Sequence, residues 1–523
     1  MPHPEMYPHQ DWSSPFAEFA ILRKVQSQVC AQRFQPALTK EAHDTQGSAP
    51  VMDSFAALAF AEAPMIPRNR AHWFHILLLI ASLGWTPFGS AQDARVTSTL
   101  EFESSDPALL QAFRWAKAQA LAYAHPESEP IGAWYEAALP GRDSFCMRDV
   151  SHQTTGAAAL GLYSANHNML KRFAASVAAE RDWAGYWEID RTGRPSTADY
   201  VNDSDFWYNL PANFDLLDAV VRMWRWTGDE SYLIDPEFER FFQATANSYI
   251  SAWQLQPGRV LSRPRIMNRR LQNGKFVNSR GIPSYTEGRN DFNVGSDLLA
   301  AEYRALQSLR QIALERHQLD RSGNFQVAAE AIQQLVEQRA WSETEGHFYG
   351  FFSENGRRFG SGDAMLLYFN AVDRPEHLRG ALDSIASPEY WQHVNIEEES
   401  YLPLALYRYG RSTDAYRILL DLSNPDKKRR EYPEVSYSVI AGIVSGTMGL
   451  EPSEEVGNDT IQTLSQLRDG PGFAELRDVA VKHNLVRFEA CWYIQQLPHQ
   501  SIWSAASVEG QFSGNRSASQ GER

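Results

Sequence analysis

The sequence predicts a mainly α protein, an (α/α)6 toroid of six helical hairpins with a small C-terminal β cap. Three observations predict it. Helical periodicity runs almost without a break from Asp106 to Leu450. The links between these helices alternate between brief turns and long segments rich in acids, Arg and aromatics. After Leu450 the period changes to two, as Val479 and Val481, then Val486, Phe488, Ala490 and Trp492, alternate with other residues about a Lys482-His-Asn484 turn signal.

Residues 1–64 precede Met65 and read as an over-long gene call. Residues 65–91 carry Arg68-Asn-Arg70, an apolar stretch from Trp73 to Trp85, and a small-residue ending at Ala91. That is the order of a secretory signal peptide. The apolar stretch is too short to span a bilayer comfortably. An exported protein is expected, periplasmic or extracellular, with no stable membrane insertion after cleavage. The mature chain then starts near Gln92, with Cys146 and Cys491 as its two cysteines.

The barrel is expected over 92–455. Its helices are predicted at about 107–123, 151–164, 166–179, 211–227, 235–252, 295–317, 323–341, 361–370, 374–386, 400–409, 411–423 and 435–448. The fourth carries Phe214, Leu217, Val221 and Trp224 at helical spacing and ends before Gly228. The sixth repeats the pattern at Leu299, Tyr303, Leu306, Leu309 and Ala313, with Ser296 as its expected N-cap. Short links such as Asp320-Arg-Ser-Gly323 and Tyr409-Gly-Arg-Ser412 make antiparallel hairpins. Even helices then line the inside, and the long loops before them converge on one mouth. Small residues at Gly156-Ala-Ala-Ala159, Gly442 and Gly446 permit close helix approach. The cap is expected over 456–503 and a disordered Ser/Gly/Arg-rich tail over 504–523.

Composition excludes several functions. The net charge is -15 and no Lys/Arg stripe is present, so nucleic acid is not an expected partner. No zinc, calcium, dinucleotide or P-loop signature occurs, and no cofactor or metal is expected.

The run Tyr135-Glu-Ala-Ala-Leu-Pro-Gly-Arg-Asp-Ser-Phe-Cys-Met-Arg-Asp-Val-Ser-His-Gln153 resembles the first active-site loop of the six-hairpin glycosidases. Phe206-Trp-Tyr-Asn-Leu-Pro211, Gly288-Arg-Asn-Asp291 and Ala474-Glu-Leu-Arg-Asp478 extend the likeness over roughly residues 100–495. The resemblance implies a glycoside hydrolase acting on an oligo- or polysaccharide. It leans toward families acting on uronic acids, exo-β-glucuronidase-like ones (such as family 154) and unsaturated glucuronyl hydrolases, with α-rhamnosidases further away. It also implies that Arg148 and Asp149 grip the terminal sugar.

Glycosidic cleavage uses two carboxyl groups, one protonated and one charged. Asp149, beside Arg148, is expected to be ionised. Asp203 and Asp205 stand two apart in what reads as an extended loop, and so both face one cavity, with Asp205 as general acid. Glu287, before Gly288, is its partner. Glu397-Glu398-Glu399 is a rival base or a solvated helix start. Tyr135, His152, Gln153, Trp207, Tyr208, Arg289, Asn290 and Glu398 are further sugar-binding candidates. Arg263, Arg265, Arg269, Arg270, Arg280 and Arg289 match carboxylate geometry and suit a uronate. Two alternatives remain open, a uronate lyase with a Tyr or His base (Tyr135, His152 or Tyr208, with Asn209) and a non-catalytic sugar-binding barrel. An epimerase fits less well with a signal peptide and few histidines in the mouth.

Overall fold

The structure, a computed structural model, describes residues 96–264, 276, 279–287, 289, 291–454, 461–463, 472–482, 484–497 and 500–507. The expected gene-call extension and signal peptide lie outside the described residues. The described chain is mainly helical, with twelve principal helices among the described residues. They are α1 (Pro107–Ala122), α2 (Met147–Ala159), α3 (Tyr163–Ser176), α4 (Pro211–Thr227) and α5 (Pro236–Gln243, continued by a π turn and a last α turn to Ala252). Then come α6 (Ser296–Glu315), α7 (Leu319–Arg339), α8 (Asp363–Tyr368), α9 (Pro375–Ala386), α10 (Ile396–Arg408), α11 (Ser412–Leu422) and α12 (Pro433–Ala441, continued by a π turn to Thr447).

Local chemistry sets these boundaries. Pro107, Pro211, Pro236, Pro375 and Pro433 occupy first helical positions, where a missing N–H costs nothing. Asp106 caps α1, accepting from the amides of Ala108 (3.0 Å) and Leu109 (3.3 Å). Its second oxygen accepts from the Tyr416 hydroxyl on α11 at 2.7 Å, so one side chain starts a helix and ties it to another. Gly228 ends α4 in the left-handed region at φ 71°. The expected cap Ser296 is instead the first residue of α6; Gly295 precedes it in extended conformation, and the Ser296 hydroxyl donates to the Tyr349 carbonyl.

The packing separates even helices from odd ones. Helix α2 packs on α4, α4 on α6, α6 on α8, α8 on α10, α10 on α12, and α12 packs back on α2. The odd helices flank them: α1 against α12, α3 against α2 and α4, α7 against α6, α9 against α8, α11 against α10. Burial follows the same division. Helices α2 and α4 are buried around nearly their whole circumference, whereas α7 buries a stripe. Glycine permits the α2–α12 contact, since a Cβ on Gly156 would overlap the Tyr437 carbonyl.

Strands shape the links and close the fold. Those that bear on the site and on the closing sheet are, in chain order, β1 (Glu101–Ser104), β2 (Ser144–Cys146), β3 (Glu188–Asp190), β4 (Tyr200–Asn202), β5 (Asp205–Phe206), β6 (Val294–Gly295), β7 (His347–Phe352), β8 (Arg358–Ser361), β9 (Gly472–Val481), β10 (Asn484–Leu497) and β11 (Gln500–Ser507). β2 pairs with β3, β4 with β5, and β7 with both β6 and β8. The expected C-terminal hairpin is β9–β10, with Val479 opposite Val486 and Val481 opposite Asn484. The sheet is larger than expected. β1 pairs antiparallel with β9, Glu101 opposite Arg477, and β11 adds a fourth strand. The expected disordered tail from Ser504 therefore needs correction, because Ser504–Ser507 pair with Ala490–Tyr493 in the β10–β11 ladder. No described helix is long and apolar enough to cross a membrane.

Candidate active site

The starts of the even helices, with the loops that lead into them, line two cavities. The larger, about 600 Å³, is lined by Arg142, Arg148, Asp149, Trp187, Glu188, Asp199, Trp207, Glu287, Asn395, Glu397, Arg429, Tyr432 and Glu434, among others. The smaller, about 330 Å³, is lined by Tyr285, Asp297, Gly362, Met365, Glu398 and Tyr401, among others. Arg148, Glu287, Asn395 and Glu397 line both, so the cavities meet along those four residues.

Arg148 sits on the first turn of α2, buried, at the centre of this boundary. Its Nη2 is 2.8 Å from Glu397 Oε1 and its Nε donates to Asp149 Oδ1 at 3.4 Å. The guanidinium lies 5.4 Å from the Trp187 ring and 5.5 Å from the Tyr285 ring, cation–π contacts that hold it flat. Glu397 Oε1 also accepts from the Tyr401 hydroxyl at 3.0 Å. Asn395 caps α10 by accepting from the Glu398 amide at 2.8 Å, and this fixes the turn that presents Glu397 and Glu398. Across the boundary, Glu287 Oε1 accepts from Trp207 Nε1 (3.2 Å) and Asn209 Nδ2 (3.3 Å). Glu287 and Glu397 thus share one design. One oxygen is anchored by two donors, and among the described residues no donor is seen on the other.

Burial sets the protonation of the surrounding acids. Asp149 is pushed up to about 8, because burial and the nearby Glu397 and Glu188 outweigh the Arg148 charge. This corrects the expectation that Arg148 keeps it ionised. Asp199 is also pushed up to about 8 by burial and by Glu188, with Arg142 opposing and Glu287 adding. Glu434 rises well above the carboxylate range through burial, Asp149 and Glu397. Burial also raises Glu398, against a hydrogen bond from Tyr390. Asp297 moves to about 6; burial dominates, although Ser284 and the Tyr285 and Leu298 amides all donate to it.

Of the predicted residues, Arg148, Asp149, Trp207, Glu287 and Glu398 line these cavities. Asp203 and Asp205 do not. Asp203 and Ser204 form the turn between β4 and β5, so the two acids diverge instead of pointing one way. Asp203 pairs with Arg181 and accepts from the Tyr200 hydroxyl at 2.8 Å, while Asp205 accepts from the Phe276 amide at 2.7 Å. Tyr135 and Tyr208 are core residues, bonded to Asn166 (2.8 Å) and Asn213 (2.5 Å). His152 lies one layer behind the smaller cavity, against the rings of Tyr285, Tyr368, Phe369 and Tyr401 and 3.7 Å from Asp215. Gln153 is buried beside it on α2. Arg289 is exposed and paired with Asp291 at 2.7 Å, and Asn290 lies outside the described residues.

The described arginines of the cluster line neither of these cavities. Arg263 is buried and donates to the Trp253 and Asn293 carbonyls, Arg280 pairs with Asp182 at 3.1 Å, and Arg265, Arg269 and Arg270 lie outside the described residues. Sequence reasoning missed Glu188, which arrives on β3 and accepts from Arg142 at 2.8 Å. It also missed Asp297 and Asn395. An Asn just before an acidic helix start was the available signal for Asn395. Cys146 is a buried free thiol at the edge of the larger cavity.

No protein-family model matches the chain, and no curated protein matches it. Among solved structures it is similar to a GH78 family rhamnosidase of Bacillus sp. GL1, at 14% identity and a TM-score of 0.51, covering 76% of this chain and 40% of that one. It is also similar to a sialidase, at 11% identity and a TM-score of 0.51, covering 75% of this chain and 38% of that one. The chain therefore spans about two fifths of the length of each. At these identities the likeness is one of fold alone, shared with parts of these two glycoside hydrolases.

Proposed function

We propose that this protein is an exo-acting glycoside hydrolase on an (α/α)6 ring of six hairpins, exported by the segment at 65–91. The cyclic packing of the even helices supports the ring, and the likeness of fold is compatible with it. One observation carries the activity. The two cavities meet at Glu287 and Glu397, each with one oxygen anchored and the other without a donor among the described residues. A scissile bond lying on that boundary has two carboxyl groups beside it, the pair that hydrolysis of a glycoside requires.

The smaller cavity has room for one terminal ring and the larger takes the leaving group. Glu287 is the more exposed of the two carboxyls, and protonates the leaving oxygen on the open side. Glu397, ion-paired with Arg148, activates water or attacks the sugar. Asp149, largely protonated near neutral pH, hydrogen-bonds sugar hydroxyls beside Arg148. Asp205, engaged by the Phe276 amide, holds the loop and takes no part in proton transfer. The lyase alternative loses its base, since Tyr135, His152 and Tyr208 line neither cavity.

A screen of 4-nitrophenyl glycosides tests the reading. Glu287→Gln and Glu397→Gln should each lower kcat on the best substrate by roughly 10²–10⁴-fold. A 2,4-dinitrophenyl leaving group, which needs no proton, should restore most of the rate to Glu287→Gln and little to Glu397→Gln. Full activity in both variants would sink the assignment.

A further inference from the structure

We infer that the smaller cavity accepts an uncharged sugar ring and rejects a uronate; this rests on the hydrolase reading above. Charge in that cavity is one-sided. Arg148 is the cation among its described lining residues; its charge is already committed to Glu397 at 2.8 Å, and its Nε is engaged by Asp149 at 3.4 Å. Trp187 and Tyr285 flank its guanidinium, so turning toward a third carboxylate would break both contacts. Against this one engaged cation stand four acids: Glu397, which pairs with it, Glu398 and Asp297, and Glu287, which carries the proton for the leaving group. A uronate carboxylate would enter beside the Glu398 and Asp297 carboxyls, with no uncommitted cation among the described lining residues.

The same lining suits a neutral ring. Asp297 is saturated by Ser284 and by the Tyr285 and Leu298 amides, so it shapes the wall without holding substrate. Glu398 gives one oxygen to Tyr390 and keeps the other for sugar hydroxyls. Tyr285 and Tyr401 offer aromatic surface to a ring. Glu398 is therefore the specificity-determining residue, acting by charge as well as by hydrogen bonding.

A matched substrate pair isolates the charge, namely 4-nitrophenyl β-glucuronide and its methyl ester, assayed with the full chain at pH 7 beside neutral glycosides. The ester or a neutral glycoside should exceed the free uronide in kcat/KM by about a hundredfold or more, a size typical of like-charge exclusion. Glu398→Gln should narrow that gap by about tenfold while keeping the side-chain shape. A free uronide cleaved as fast as its ester overturns the inference. If no glycoside is cleaved, calorimetric titration with free rhamnose, glucose and glucuronate decides. A neutral sugar bound with glucuronate silent upholds the cavity's specificity while the hydrolase reading falls; glucuronate bound, or nothing bound, overturns the inference.

Discussion

Asp149 and Asp199 are carboxyls whose protons the fold keeps to about pH 8, against ordinary values near 3.8. In a raised carboxyl the native state holds a proton that the unfolded chain has already lost. The contribution of these two groups to stability is therefore fully present below about pH 4, is lost as pH climbs toward about 8, and levels off beyond. Thermal melts between pH 5 and 9 should show Tm falling across that window. Asp199→Asn should flatten the slope and raise Tm at the alkaline end; an unchanged slope would mean that Asp199 does not hold its proton there. At this scale the sequence was only partly legible. Arg148, Asp149, Trp207, Glu287 and Glu398 could be picked out because each stands in a loop or first turn leading an even helix. Asp205 was misplaced because a two-residue turn at Asp203–Ser204 reverses the chain, and spacing alone does not reveal it. The buried partner Glu188 stands at the far end of the long link before α4, well ahead of its acidic run, and the β2–β3 pairing brings it in.

Helices were legible because each must bury an apolar face, and a period near 3.6 records that need. Their closeness is a separate matter, set by small residues. At the α2–α12 contact, Gly156 meets the Tyr437 backbone, and a backbone atom cannot rotate out of the way as a side-chain tip can. Gly156→Ala should therefore destabilise by about 1–3 kcal/mol, read as a lower urea midpoint, because overpacking forces the helices apart. The same change at Gly323, where a Cβ meets open space, should not destabilise the protein. An unchanged or higher midpoint for Gly156→Ala would mean that the α2–α12 contact has room for the methyl group. The link regions were less legible than the helices. Acid-rich loops carry no period, and which acid turns inward depends on caps such as Asn395 and on short strands such as β4 and β5.

On the scale of the whole molecule, the β sheet joins the two ends of the described chain. β1 lies along β9, and Arg477 reaches back to Glu103. The sequence announced the hairpin but not its partner, since a four-residue strand near the start has no local signal strong enough to name a mate so distant. A chain beginning at Asp106 should melt at a lower temperature than one retaining β1, and should aggregate sooner on heating, because the edge of β9 is left uncovered. An identical melt would make β1 incidental.

The distance along the chain between β1 and β9 also dictates a timetable. Neither that strand pair nor the α12–α2 contact can form until nearly the whole polypeptide is available. Loop closure over such a separation is slow. Hairpins made early must wait with one flank bare, so the last-made segment acts as the clasp that commits all the others.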